Sequence, residues 1–240
     1  MTARTVVLLR HGRTEWNLVG RLQGQTDVPL DEVGRWQAAE AATHLARGHR
    51  AARVVASDLA RAVDTARAYA DLVGAEVLPD ERLRERAFGK WEGLTDAQIA
   101  AGWPEEHAAW RGGHDVEGVP PGGETRGEVG RRVLEAVTEH AEAVEDGGTL
   151  VVVSHGAALT TGLTALLGLD PDAWRGVVGL TNAHWSELRR ARGGDLAPGW
   201  RLVTHNVGAG YAAEEWHAGP ATGAEQQADT ADLEPRGNPA

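Results

Sequence analysis

The strongest constraint on the fold is the run Thr5-Val-Val-Leu-Leu-Arg-His-Gly near the start of the chain. A strand with one solvated face would alternate apolar and polar side chains. Thr5 to Leu9 do not alternate, so the run belongs inside a sheet covered on both faces. Arg10 and His11 follow at once, and Gly12 breaks the strand. In open α/β sheets ligands bind beyond the carboxyl ends of the strands, so Arg10 and His11 are delivered to the place where chemistry is expected. His11 stands between Arg10 and Arg13 in sequence. Two nearby cations favour the neutral, nucleophilic imidazole and also attract a phosphate.

Further along, strand and helix patterns alternate. Leu18 to Leu30, with Gly20, Gly24 and Pro29, reads as loop. Asp31 opens a helix to about Arg47, with Trp36 on its apolar face. Arg53 to Ser57 is a short strand. A helix capped by Ser57 or Asp58 then runs to Val73, with Gly74 as its stop. Arg61 falls in its first turn, at the strand-to-helix mouth, while Arg67 lies further along as a solvated residue. Glu76 to Pro79 is a third strand. Residues 94–122 read as a lid of two short helical pieces and a Gly/Pro-rich loop, in which Trp103, Trp110 and His114 either pack or touch substrate. A long helix from Thr125 to about Glu145 follows. Thr149 to Ser154 is a second fully buried strand, ended by His155-Gly156 and a helix from Ala157 to Leu167. That helix start would favour an anion. Ser154 lacks the glycine two residues upstream that a nucleophile elbow needs. Leu180–Leu188 and Trp200–Asn206 alternate like antiparallel strands, with His184 and His205 as structural residues.

Composition narrows the function classes. The chain of 240 residues carries a net charge of −11, which argues against non-specific nucleic-acid binding. There is no cysteine, hence no disulfide or thiolate metal site. No apolar run is long enough to span a membrane and no secretory leader is evident, so a cytoplasmic location is expected. Residues 212–240 hold six acids and one base with few apolar anchors, and are expected to be a disordered acidic tail beyond a domain at 1–211. Dinucleotide, P-loop and metal-binding motifs are absent.

Arg10-His11-Gly12-Arg13-Thr14 resembles the signature of the histidine phosphatase superfamily, which includes the phosphoglycerate mutases. Three later segments are similar to the same superfamily: Ser57-Asp-Leu-Ala-Arg61-Ala-Val-Asp-Thr-Ala66, Leu83-Arg-Glu85-Arg-Ala-Phe-Gly-Lys-Trp-Glu-Gly93 and Ser154-His155-Gly156. The likeness spans about residues 4–206. It implies a three-layer α/β/α sandwich with a mixed, mostly parallel sheet. It also implies a metal-independent phosphomonoester hydrolase with no cofactor, in which His11 becomes phosphorylated. By the same likeness Glu85 is the general acid, Arg10, Arg61 and His155 hold the phosphoryl group, and Asn17, Gln23, Gly24 and Gly156 line the phosphate or substrate. Glu92, before Gly93, reads as a turn or supporting residue, and Glu124 as a structural or network residue. A carboxyl beside a bound phosphate dianion keeps its proton near neutral pH, as a general acid must. Within the superfamily the chain is most similar to the actinobacterial glucosyl-3-phosphoglycerate phosphatases, through Arg21-Leu-Gln-Gly-Gln-Thr-Asp27, Leu94-Thr-Asp-Ala-Gln-Ile99 and Asn182-Ala-His-Trp-Ser-Glu-Leu188. The expected partner is a small phosphorylated metabolite, glucosyl-3-phosphoglycerate among them, with neither membrane nor nucleic acid; a homodimer is compatible with the sequence. The alternatives are a phosphoglycerate mutase, an α-ribazole phosphatase or a non-catalytic phosphoryl-binding protein. Arg111 is the single Lys or Arg between Trp91 and Pro121, and so base-poor a lid favours hydrolysis over mutase chemistry.

Overall fold

The computed structural model describes residues 2–113, 120–145, 147–191 and 199–220. In chain order they form β1 (Thr5–Arg10), α1 (Glu15–Leu18), α2 (Glu32–Gly48), β2 (Ala51–Ala56), α3 (Ala60–Val73), β3 (Val77–Pro79), α4 (Asp96–Gly102), α5 (Pro104–Arg111), α6 (Arg126–Glu142), β4 (Thr149–Ser154), α7 (Gly156–Leu166), β5 (Trp185–Arg190), β6 (Trp200–Val207) and α8 (Ala213–Ala218). The strands make one sheet in the order β3-β2-β4-β1-β5-β6. β3, β2, β4 and β1 are mutually parallel, and β5 runs against both β1 and β6.

The two unbroken apolar runs sit side by side at the centre, with Thr5 to Arg10 of β1 paired in register with Thr149 to Ser154 of β4. Alternation then assigns their side chains. Val6, Leu8, Leu150 and Val152 pack with Val133, Val137, Leu159 and Leu163 of α6 and α7. Val7, Leu9, Val151 and Val153 pack with Ala41, Leu45, Ala66 and Tyr69 of α2 and α3. Helices therefore cover both faces, giving the expected α/β/α sandwich. Both central strands release their Arg-His or Ser-His ends on the same edge.

Three expectations are corrected. The stretch Leu180–His184 is a turn rather than strand, and β5 begins only at Trp185. Ala183 adopts a left-handed φ of 54°, because its N–H is drawn to the carbonyls of Arg10 and His11. Neither Ser57 nor Asp58 caps α3. The Ala60 N–H donates to Asp27 from the loop before α2, and the Asp58 carboxylate pairs with Arg84. The acidic tail does not leave the domain at 211, since α8 follows and its Trp216 is only 2% exposed. A single indole provides enough apolar surface to hold a short helix when it rests against Trp36 of α2 and the His184 ring. Residues 221–240 lie outside the described residues. No described helix is long and apolar enough to cross a membrane.

Candidate active site

The ends of β1 and β4 place the rings of His11 and His155 5.1 Å apart, edge to face. His11 Nδ1 lies 2.6 Å from the Gly12 carbonyl oxygen. A carbonyl only accepts, so Nδ1 carries the hydrogen and Nε2 keeps a free lone pair. Burial drives the His11 imidazole well below its ordinary range, and the Arg61 and Arg10 charges push the same way. The ring is thus neutral, with its nucleophilic nitrogen fixed. Burial and Arg61 likewise keep His155 neutral. Arg61 Nε donates to His155 Nδ1 at 3.2 Å, which leaves the His155 hydrogen on Nε2.

Arg61 is fully buried, as expected from its place at the mouth of α3, while Arg67 is solvated beside Asp64. Its two terminal nitrogens donate to the carbonyls of Thr26 and Gly24, each at 2.8 Å. The loop that bears Gln23 and Gly24 is held on its other side by Glu92, which accepts from the amides of Gln25 and Thr26 and from the Thr26 hydroxyl. Gly24 has φ +54°, and a Cβ there would meet the Glu92 carboxylate at 2.0 Å. Glycine is required on both counts. Arg10 donates to the Leu180 carbonyl and lies across Gly156, whose added Cβ would be 3.5 Å from the guanidinium.

Glu85 reaches the amino end of α7. Its Oε1 accepts from the Ala158 and Arg86 amides at 2.8 Å, and its Oε2 from the Ala157 amide at 3.1 Å. Glu124 joins Arg132 and the Ala87 amide, a network role as expected. In turn Arg132 donates to the backbone carbonyls of Arg82, Arg84 and Glu85. Asn17 spends its Oδ1 on Thr14 and Asn182, so its Nδ2 is the end available to a ligand.

The expected residues are therefore brought together, with one correction. Arg13 does not flank His11: it pairs with Asp31 and reaches the His217 carbonyl. The second cation near His11 is Arg61. Trp103 and Trp110 pack against Trp91 and Ile99, and His114 lies outside the described residues. Sequence reading missed Thr65, which accepts from the Gly12 amide at 3.1 Å, as well as Arg132, Asn182 and Trp216. Thr65 and Asn182 stand inside segments that carry the resemblance, without a role of their own there; Arg132 and Trp216 gave no chemical signal.

Two buried nitrogens of the site, Arg10 Nε and His155 Nε2, have no hydrogen-bond partner among the described residues. Buried N–H groups are rarely left unmatched, and two cationic or polar donors converging beside a neutral histidine suit an anion with several oxygens. A surface groove along α3 and β3, lined by Asp58, Asp64, Arg67 and Glu76, contains none of these donors.

This fold and this paired-histidine site define a phosphoryl-handling class, and the chain belongs to it: the model of the histidine phosphatase superfamily (branch 1) matches residues 6–207. It is 40% identical over 221 residues to a glucosyl-3-phosphoglycerate phosphatase from Mycolicibacterium vanbaalenii, covering 87% of this chain and 97% of the relative. A mycobacterial glucosyl-3-phosphoglycerate phosphatase solved in complex with VO3 superposes with a TM-score of 0.75 at 38% identity, over 85% of this chain and 99% of that one. A probable phosphoglycerate mutase from Serratia proteamaculans is 36% identical over 202 residues, covering 83% of this chain and 91% of the relative.

Proposed function

We propose that the protein hydrolyses a small phosphomonoester through a phosphohistidine at His11, without a metal ion, and that glucosyl-3-phosphoglycerate is its substrate. The observation that carries this reading is the His11 ring, neutral and locked with Nδ1 on the Gly12 carbonyl, so that Nε2 is aimed as nucleophile. In the first step Nε2 forms a bond to phosphorus as the ester P–O bond breaks. Arg10, Arg61, the Asn17 amide and His155 Nε2–H take the charge that spreads over the equatorial oxygens. Glu85 Oε2, which accepts a single hydrogen bond among the described residues, gives its proton to the leaving alkoxide. In the second step the same oxygen accepts a proton from water, which attacks phosphorus and frees His11 and inorganic phosphate. The guanidiniums supply the positive charge, and a divalent ion beside His155 would sit against Arg61.

The substrate assignment rests on the 40% identity to a relative of that activity. The test is phosphate release, in chelator, from glucosyl-3-phosphoglycerate, 3-phosphoglycerate, α-ribazole phosphate and p-nitrophenyl phosphate. One strongly preferred substrate is expected, with turnover falling about a thousandfold or more in His11→Ala. Turnover abolished by chelator would sink the metal-free mechanism. Isomerisation of 3-phosphoglycerate without phosphate release would mark a mutase instead.

A further inference from the structure

We infer that Asn182 and Trp216 are positioning residues for the His11 nucleophile, with α8 acting as a latch on the loop that carries it; the inference rests on the hydrolytic reading above. The Asn182 side chain is buried, and its single Nδ2 donates to three acceptors: the His11 carbonyl at 3.1 Å, the Gly12 carbonyl at 3.3 Å and Asn17 Oδ1 at 3.2 Å. The Gly12 carbonyl is the group that holds His11 Nδ1–H. Asn17 Oδ1, once engaged, turns the Asn17 amide nitrogen toward the ligand. One amide thus orients both the carbonyl that fixes the ring tautomer of the nucleophile and a phosphate donor.

Asn182 is itself held from the far end of the chain. Trp216 Nε1 donates to the Asn182 carbonyl at 2.9 Å. Gln37, fully buried, donates to the Trp216 carbonyl at 2.7 Å and accepts from the Arg13 amide at 2.9 Å. Arg13 donates to the His217 carbonyl. The neighbouring Ala183 stays in the left-handed region, where a residue with a Cβ is strained. Strain of this kind persists only where surrounding bonds over-determine the backbone, and here they converge on residues 10–13.

The experiment compares Asn182→Ala, Trp216→Phe, His11→Ala and a remote core variant, Val137→Ala, in the full chain. Rapid-quench measurement of phosphohistidine formation from p-nitrophenyl phosphate gives the rate. Nitrogen-15 NMR of the His11 ring gives the tautomer. Thermal melting calibrates destabilisation. Phosphohistidine formation is expected to slow about a hundredfold in Asn182→Ala and about tenfold in Trp216→Phe, the scale of a misplaced reacting group. Loss of the single Nδ1–H tautomer should accompany both. Val137→Ala should lose stability and keep rate and tautomer. Trp216→Phe keeps an aromatic ring in the pocket while removing the N–H donor, and its melting temperature is read against Val137→Ala, so it decides the matter if Asn182→Ala fails to fold. Rates within threefold of Val137→Ala, with the tautomer unchanged, would overturn the latch and leave the hydrolytic reading intact. Turnover surviving in His11→Ala would overturn both.

Discussion

His11 must stay neutral while surrounded by positive charge, and the protein achieves this by removing water from it. Burial and two guanidiniums depress both His11 and His155, while the unfolded imidazoles retain a pKa near 6.5. Below that value the unfolded chain binds protons that the folded site refuses. Their contribution to stability is therefore complete above about pH 6.5 and falls as pH drops, by up to about 1.4 kcal/mol per pH unit for each ring. Urea unfolding should show stability falling as pH is lowered from about 7.5 to 5.5, where the unfolded rings take up protons. His155→Gln should remove roughly half of that pH dependence. For Glu85 the diagnostic is the leaving group: Glu85→Gln should cost about 10²–10⁴-fold on an alkyl phosphate and much less on p-nitrophenyl phosphate. Equal losses on both would reject the acid role. The residues legible in the sequence were those whose own side chains would do chemistry in the proposed mechanism. Arg13 was misplaced because adjacency along the chain is not adjacency in space, and Asp31 draws it away. The roles of Asn182 and Arg132 could not be read because they act largely on backbone carbonyls, which every residue has.

At the scale of elements, regular strands and helices form the frame and short irregular pieces carry the site. Most helices and the two central strands could be read from periodicity and caps: Asp31 caps α2, Thr125 caps α6 and Gly74 stops α3 in the left-handed conformation. The start of α3 could not, because its cap comes from Asp27, distant in sequence. The turn at 181–184 could not, because the carbonyls of Arg10 and His11 dictate it. The 24–26 loop is squeezed between Arg61 and Glu92, so it transmits any backbone shift to the guanidinium that would hold phosphate. Gly24→Ala introduces backbone strain of about 1–3 kcal/mol and a clash with the Glu92 carboxylate. Calorimetric titration should show inorganic phosphate binding at least about tenfold more weakly, which is 1.4 kcal/mol of that strain. Unchanged affinity would mean that the loop is not coupled to the anion.

On the scale of the whole molecule, two unbroken apolar runs pointed to a doubly covered sheet, and the resemblance implied its three-layer, mixed form. The domain limit did not follow, because a tail rich in Ala, Glu and Gly conceals the packing of Trp216 against Trp36 and Tyr211. Trp216→Ala should lower the unfolding free energy by about 3–5 kcal/mol, as for other buried indoles removed from cores. Denaturant melts would check this, and a loss under about 1 kcal/mol would show a helix that merely rests on the surface. The bond between Trp216 and Asn182 also sets an order in time. The indole that completes the support of His11 is synthesised some two hundred residues after it. Contacts so distant in sequence form late in folding. On the proposed reading, the growing chain holds His11 long before it has the indole that steadies Asn182 beneath it, and a chain interrupted before α8 should carry the whole motif yet form phosphohistidine more slowly than the full chain.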